Sequence, residues 1–240
     1  MERRPASDPA LDPDLAGVLL DDSVGHRQTQ PIPVRTVRIT DDVTSAPAGR
    51  EEERRGIAGD FFVIKIAGAR AAEGAALAEV TAAAEEANAN TRTMAIALSS
   101  CTIPASGRPI FEISAEDMEI GMGLHGEPGI RRGPMKSADE VAAQLVQAIL
   151  DDLPALRGAE AAVMVNGMGA TPLAELLIVF RTVHRILSGA GISIVRTLAG
   201  NFATSLEMAG CSVTIMRLTP LLKRLLLAPA DSPAYVQVQG

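Results

Sequence analysis

The sequence has very few aromatic residues: of its 240 residues one is Tyr, five are Phe and none is Trp. Proteins that bind single-stranded nucleic acids stack the bases on aromatic rings, so this composition argues against that function. The formal net charge of −7 argues against it as well, because phosphate backbones are bound by basic patches. Since 47% of the residues are hydrophobic, we expect a core built mainly from aliphatic side chains.

Cysteines and long apolar runs are also scarce. The two cysteines, Cys101 and Cys211, are too few for a disulfide framework in a chain of this length, and we expect them to be buried free thiols of a reducing compartment. No apolar run reaches the roughly 18 residues that a membrane span requires. The charged start, Met1 to Pro5, is not followed by the apolar stretch of a secretion signal. These features predict a soluble, cytoplasmic protein.

The hydrophobic pattern predicts a proline-interrupted, disordered tail over residues 1–33 and a folded domain over residues 34–240. We expect strands near residues 34–39, 94–98, 110–113, 117–121, 161–165, 192–198 and 212–218. We expect helices near residues 57–72, 75–87, 137–150, 171–188, 204–209 and 221–227.

Local signals support two of these helices. Ser137 and Glu140 have the spacing of a capping box, and Thr171 followed by Pro172 is typical of a helix start. Strands alternate with helices in the second half, and the paired short strands near residues 110–121 indicate some antiparallel pairing. The predicted fold is therefore an α/β domain with a mixed central sheet covered by helices.

The most informative segment is a glycine-rich run around one histidine, residues 121–129, Gly-Met-Gly-Leu-His-Gly-Glu-Pro-Gly. Four glycines and a proline in nine residues disfavour a helix or a central strand and favour a tight loop that a small ligand can approach. Histidine is the side chain whose ordinary pKa lies nearest neutrality, so His125 can act as a neutral nucleophile or base. Glu127 is close enough in sequence to orient it, although a solvated loop carboxylate is an equally good interpretation.

Other candidates are weaker. The helical spacing places His184 on the apolar face of Leu173, Leu177 and Phe180, which predicts a core histidine without a catalytic role. The turn at residues 166–169, Asn-Gly-Met-Gly, precedes a helix and could hold an anion, but it lacks the lysine of a phosphate-binding loop. No pair of His or Cys residues has metal-ligand spacing, so we expect no metal site.

Several longer motifs resemble the substrate-binding K subunit (Dak1 domain) of dihydroxyacetone kinases. The resemblance rests on segments that occur in the family's order between about Val34 and Tyr235: residues 97–104, 118–129, 165–176, 200–210 and 228–234. It implies the fold of the second lobe of that subunit.

The resemblance also implies a function. In the family, the histidine that matches His125 attacks the ketone carbon of dihydroxyacetone and holds the substrate as a hemiaminal. His125 is then the expected catalytic residue, while Gly126 and Glu127 are expected to line the substrate site. The nucleotide, ATP or ADP with Mg²⁺, is expected on a separate L-type subunit, and this chain is expected to bind no cofactor or metal.

The family's glycine-rich substrate loop and the segment with its aspartate base have no counterpart in this sequence. Three hypotheses follow. In the first, the chain captures a ketose in a kinase whose missing lobe comes from a partner chain. In the second, it is a non-catalytic homologue that binds a small carbonyl compound or a regulatory or assembly partner. In the third, the loop is purely structural. The first predicts an exposed apolar surface and association as a homo- or hetero-oligomer, without nucleic acid or membrane.

Overall fold

A six-stranded mixed sheet organises the part of the chain that the computed structural model describes, residues 33–238. Its strands, in chain order, are β1 (Thr91–Ala97), β4 (Asp117–Ile120), β5 (Arg131–Pro134), β6 (Glu160–Gly167), β7 (Ser193–Gly200) and β8 (Gly210–Arg217). They lie in the order β5-β4-β1-β8-β6-β7, and only β6 and β7 run parallel. The predicted α/β class with a mixed sheet is confirmed.

Five helices and two small two-stranded ribbons complete the described fold. The helices are α1 (Asp60–Ala72), α2 (Leu77–Ala89), α3 (Ala138–Asp152), α4 (Leu173–Gly189) and α5 (Pro220–Leu227). The ribbons pair β2 (Thr102–Ile103) with β3 (Arg108–Pro109), and β9 (Ala230–Ser232) with β10 (Tyr235–Gln237). Two short 3₁₀ turns occupy Glu51–Glu53 and Pro154–Leu156.

Helices cover both faces of the sheet. On β6, Val163 and Val165 point toward α3 and α4, whereas Ala162 and Met164 point toward α1, α2 and α5. All four side chains are fully buried, because successive residues of a strand face opposite sides and both sides are covered. This arrangement explains why the central strands are continuous apolar runs in the sequence.

The start of α3 is formed as its sequence predicts. The Ser137 hydroxyl accepts a hydrogen bond from the Glu140 backbone N–H at 3.3 Å, and the Glu140 carboxylate accepts one from the Ser137 N–H at 3.0 Å. This reciprocal capping box contributes about 1 kcal/mol or more to the helix.

The start of α4 differs from its prediction. Pro172 occupies the N-cap position, and Thr171 lies outside the helix. The Thr171 hydroxyl instead donates to the Gly210 carbonyl at 2.6 Å and accepts from the Gly210 N–H at 2.8 Å. Thr171 therefore ties the start of β8 to the β6–α4 turn.

Three predicted elements do not form. Residues 204–209 are not a helix, since Leu206 has a backbone φ of +49°, outside the helical region. Residues 34–39 alternate like a strand but pair with no strand, and part of that segment is held by a side chain: the Asn88 amide donates to the Arg38 carbonyl. The predicted strand at 110–113 is likewise absent, because the local ribbon ends at Pro109.

The predicted tail, residues 1–33, lies almost entirely outside the described residues, and so does His26. The prediction that Cys101 and Cys211 are buried and unpaired is confirmed. Burial raises the pKa of the Cys211 thiol to about 12, so this thiol stays protonated.

Candidate functional site

The glycine-rich run is the connection between the antiparallel strands β4 and β5. Backbone bonds close its base, where the Ile130 N–H donates to the Ile120 carbonyl at 2.8 Å and the Gly121 N–H donates to the Ala95 carbonyl of β1 at 2.7 Å. A turn within it is closed by the Gly123 N–H, which donates to the Glu127 carbonyl at 3.1 Å. Backbone hydrogen bonds therefore order this loop both at its base and within it.

Glycine is required beside His125. Gly126 has a φ of +82°, and a Cβ atom there would lie 2.2 Å from the Ile110 side chain. Any larger residue would meet the left-handed backbone penalty, and the end of the Ile110 side chain would also have to move. Gly126 therefore fixes the backbone turn that directs His125 outward, where 89% of its side chain is exposed.

Glu127 holds His125 by two contacts. One carboxylate oxygen accepts the His125 backbone N–H at 3.0 Å, and the other lies 3.4 Å from the ring nitrogen Nδ1. A carboxylate can only accept, so this contact favours, for the neutral ring, the tautomer with its proton on Nδ1, in which Nε2 has the free lone pair.

The Glu127 carboxylate is kept ionised by its surroundings. Partial burial alone would raise its pKa, but backbone hydrogen bonds, including that of His125, and the positive charge of Arg55 outweigh burial and lower the pKa. The ionised state is the one that can accept both contacts from His125.

Two residues that sequence reasoning missed lie directly behind the loop. Arg55 donates from Nε to the Asp42 carboxylate at 2.7 Å and from Nη2 to the Gly121 carbonyl at 2.7 Å. Both residues precede the first helix and lie more than 65 positions from the loop, so no local pattern connects them to it. The only sequence signal is a pair of acidic residues followed 13 positions later by a pair of basic ones.

A model of the Dak1 domain matches residues 21–234 of the sequence. The chain belongs to the Dak1 domain family. This Dak1 chain is 45% identical over 204 residues to the dihydroxyacetone-binding subunit DhaK of the PTS-dependent dihydroxyacetone kinase 2 of Listeria innocua, a match that covers 85% of this chain and 61% of the relative. It is also 45% identical over 213 residues to the D-erythrulose kinase of Mycolicibacterium smegmatis, covering 89% of this chain and 37% of that enzyme.

Among solved structures, a dihydroxyacetone kinase operon co-activator, Dha-DhaQ, superimposes with a TM-score of 0.79 at 27% identity. The superposition covers 91% of the Dak1 chain and 68% of the co-activator. The family resemblance predicted from the motifs is thereby confirmed. The chain spans about three fifths or less of the length of these two curated relatives.

The remaining predicted sites of the Dak1 chain have structural explanations. His184 is exposed rather than buried, because α4 turns Val179 and Val183 toward the sheet and leaves Leu173 and Leu177 about half exposed. The buried face of α4 is therefore rotated by part of a turn from the predicted one, so that Val179 and Val183 face the sheet and Leu173 and Leu177 do not.

In the turn that contains Asn166, the Asn166 side chain binds neighbouring protein groups and is not available to an anion. The fully buried Asn166 amide accepts from the N–H groups of Phe202 and Ala203 and donates to the Ala203 carbonyl and the Ser212 hydroxyl. With four partners, this side chain has no capacity left for a ligand.

Within residues 33–238 no group of three or more His, Cys, Asp or Glu residues is placed to hold a metal ion. None of the helices in the described part of the chain combines the length and the apolarity that a membrane span needs. A cavity of about 560 Å³ lies between α1 and the β9–β10 ribbon, with Phe61, Phe202 and Tyr235 in its wall, and His125 does not line it.

Proposed function

We propose that the chain captures a short ketose or aldehyde as a hemiaminal on His125, as part of a dihydroxyacetone kinase-like phosphotransferase. The observation on which this depends is the exposed imidazole whose Nδ1 faces the Glu127 carboxylate, which leaves Nε2 free to react. The names of the relatives support the substrate class, since one is a dihydroxyacetone-binding subunit and another is an erythrulose kinase.

The proposed capture is an addition to the carbonyl group. The Nε2 lone pair of His125 forms a bond to the carbonyl carbon, and the C=O π electrons move to the oxygen. That oxygen takes a proton from water, and the positively charged ring releases its Nδ1 proton, so that N–H is added across C=O and nothing is lost. Glu127 stabilises the ring while it is charged, because an ionised carboxylate lies beside Nδ1.

This chemistry gives a reason for selectivity. Glycerol offers hydroxyl groups similar to those of dihydroxyacetone but has no carbonyl carbon, so it cannot form the bond to Nε2. Gly126 and Glu127 complete the proposed substrate site, since the turn at Gly126 leaves the ring approachable and Glu127 sets its orientation.

Phosphoryl transfer requires groups beyond the described residues. With 89% of its side chain exposed, His125 has an open side at which a second surface can enclose a substrate. We propose that this second surface and the base come from the lobe that the relatives' additional length contains, on a partner chain, and that ATP or ADP with Mg²⁺ is bound by an L-type subunit. The half-exposed Leu173, Leu177 and Ile178 of α4 are consistent with association of this kind.

Capture can be tested by ¹³C NMR with carbonyl-labelled dihydroxyacetone and the full chain. We expect the ketone signal to be replaced in part by that of a tetrahedral carbon with the wild type. His184→Ala, which removes another exposed histidine, should leave the adduct unchanged, whereas His125→Ala should abolish it. An adduct that persists in His125→Ala, or none with dihydroxyacetone, erythrulose or glyceraldehyde even after the partner subunits are added, would show that carbonyl capture is wrong.

A second candidate is a non-catalytic, regulatory role. It is favoured by the structural similarity to an operon co-activator at a TM-score of 0.79. Both roles allow an adduct on His125, so the distinguishing measurement is phosphorylation of the captured ketose by nucleotide and an L-type subunit. Adduct formation without any phosphorylated product would favour the regulatory role.

A further inference from the structure

The loop that contains His125 is supported from behind by an ion pair. Arg55 bridges two acceptors with one planar guanidinium group, the Asp42 carboxylate and the Gly121 carbonyl, each at 2.7 Å. Both hydrogen bonds are donated by the same rigid, planar group. If Asp42 is fixed in position, the guanidinium is fixed as well, and it then holds the carbonyl of Gly121, the first residue of the loop, in one place.

Asp42 is itself fixed to the central sheet. Its carboxylate is 1% exposed and accepts from the Thr44 N–H at 2.9 Å and the Thr44 hydroxyl at 2.6 Å. Its backbone forms a bridge with Thr93 of β1, and the next N–H, of Val43, donates to the Thr93 carbonyl. Asp42 is therefore fixed relative to β1, and Arg55 is held in place through its ion pair with Asp42.

Arg55 also lies near Glu127, although the two form no ion pair within 4.0 Å among the described residues. A Cβ atom at Gly123 would lie 2.2 Å from a Glu127 carboxylate oxygen and 3.0 Å from the central carbon of the Arg55 guanidinium. Both charged groups thus lie close to Gly123, where only a glycine leaves room for them. The positive charge of Arg55 lowers the pKa of Glu127 and so favours its ionised form.

We propose that Asp42 and Arg55 form a positioning pair that orients the His125 ring through Gly121 and Glu127. Neither residue of the pair forms a hydrogen bond or ion pair with His125 in the described structure, so their effect passes through the carboxylate that holds Nδ1. This inference rests on the proposed function for its catalytic meaning, but its effect on the ring can be observed without any substrate.

The first readout is the tautomer of His125, followed by ¹⁵N NMR of the full chain at a pH where the ring is neutral and assigned by difference with His125→Ala. We expect the Nδ1–H form in the wild type and a shift toward the Nε2–H form in Arg55→Gln and in Glu127→Gln. Arg181→Gln removes an exposed arginine of α4 and should leave the tautomer unchanged. A folded Arg55→Gln with the wild-type tautomer would overturn the proposal.

The second readout is the dissociation constant of the dihydroxyacetone adduct in a double-mutant cycle. We expect Arg55→Gln to weaken the adduct about tenfold or more when Glu127 is present and to have little further effect in the Glu127→Gln background. Equal effects in both backgrounds would mean that Arg55 acts on general stability, and would contradict the proposal.

Arg55→Lys keeps the charge but can reach only one of the two acceptors, so it should give an intermediate tautomer population; it replaces Arg55→Gln if that variant does not fold. If the wild type forms no adduct, carbonyl capture fails, and the tautomer populations still decide whether the pair orients the ring.

Discussion

Arg54 and Arg55 are neighbours in the sequence, yet they belong to different parts of the molecule. Arg54 is fully buried and donates both terminal nitrogens to Asp152 at the end of α3, at 2.8 and 2.6 Å. Arg55 is 24% exposed and contacts the loop that contains His125. Successive side chains of an extended segment point to opposite sides, so one dipeptide serves both the core and the site.

Asp41 and Asp42 divide in the same way. Asp41 is completely buried and accepts the backbone N–H groups of Ile57 and Gly59, which fixes the approach to α1. Asp42 binds Arg55. We therefore expect substitutions of Asp41 and Arg54 to lower the free energy of unfolding, and substitutions of Asp42 and Arg55 to alter the loop that contains His125.

The largest effect is expected from Arg54→Met. Among residues 33–238, Asp152 would keep only Arg92 as a charged partner, and the Ala46 carbonyl would lose the donor that Arg54 supplies at 2.8 Å. Breaking a buried ion pair from one side costs about 3–5 kcal/mol. The free energy of unfolding, measured with urea, should fall by that amount.

Arg50→Met is the matched control for that measurement. Arg50 lies in the same segment, and its contact with Glu53 is well exposed on both sides. Exposed pairs of this kind contribute about 0–1 kcal/mol. Similar losses in the two variants would show that burial does not distinguish Arg54 from its neighbours.

Asp41 is expected to make the free energy of unfolding depend on pH, an effect smaller than that of Arg54→Met. Burial raises its pKa to about 6 against the hydrogen bonds it accepts, whereas in the unfolded chain its pKa is about 4. A raised folded pKa of an acid means that stability is greatest below the unfolded pKa and declines as the pH rises through the folded value. The full loss is about 3 kcal/mol, of which about 2 kcal/mol falls between pH 4.5 and 7.

Urea unfolding at several pH values in that window tests this expectation. The pKa of Asp152 is lowered, because its bonds to Arg54 and Arg92 outweigh its burial, so its contribution is lost only at lower pH and does not interfere. Asp41→Asn should be less stable overall, since Ile57 and Gly59 donate to different oxygens of Asp41 and an amide has only one oxygen. Its decline over this window should be smaller by about 2 kcal/mol, and a residual decline is expected from Asp60, whose pKa burial also raises. A variant that keeps the wild-type slope would assign the decline to another group.

Contacts between residues close in the sequence could be predicted from it, whereas contacts between distant segments could not. The β4–β5 loop with His125 was found because its glycines, its histidine and Glu127 lie within nine residues, and the capping box at Ser137 is equally local. Asp42 and Arg55 reach the loop only through the pairing of β4 with β1 and the bridge of Asp42 to β1, a relation across 66 positions that no local pattern encodes. The predicted helix at 204–209 failed for a related reason, since Asn166 on β6 holds the backbone that precedes it.

The smallest effect is expected at the other end of the loop. There Glu119 accepts the Gly129 N–H at 3.2 Å and Arg132 at 2.8 Å, which resembles the arrangement of Asp42, Gly121 and Arg55. Arg132 lies on the edge strand β5 and is 45% exposed, so Arg132→Gln should cost at most about 1 kcal/mol in urea unfolding. Because the charge of Arg55, and not that of Arg132, lowers the pKa of Glu127, the His125 tautomer should not change. A tautomer shift as large as that of Arg55→Gln would mean that any restraint on the loop orients the ring, and would remove the distinction between its two ends.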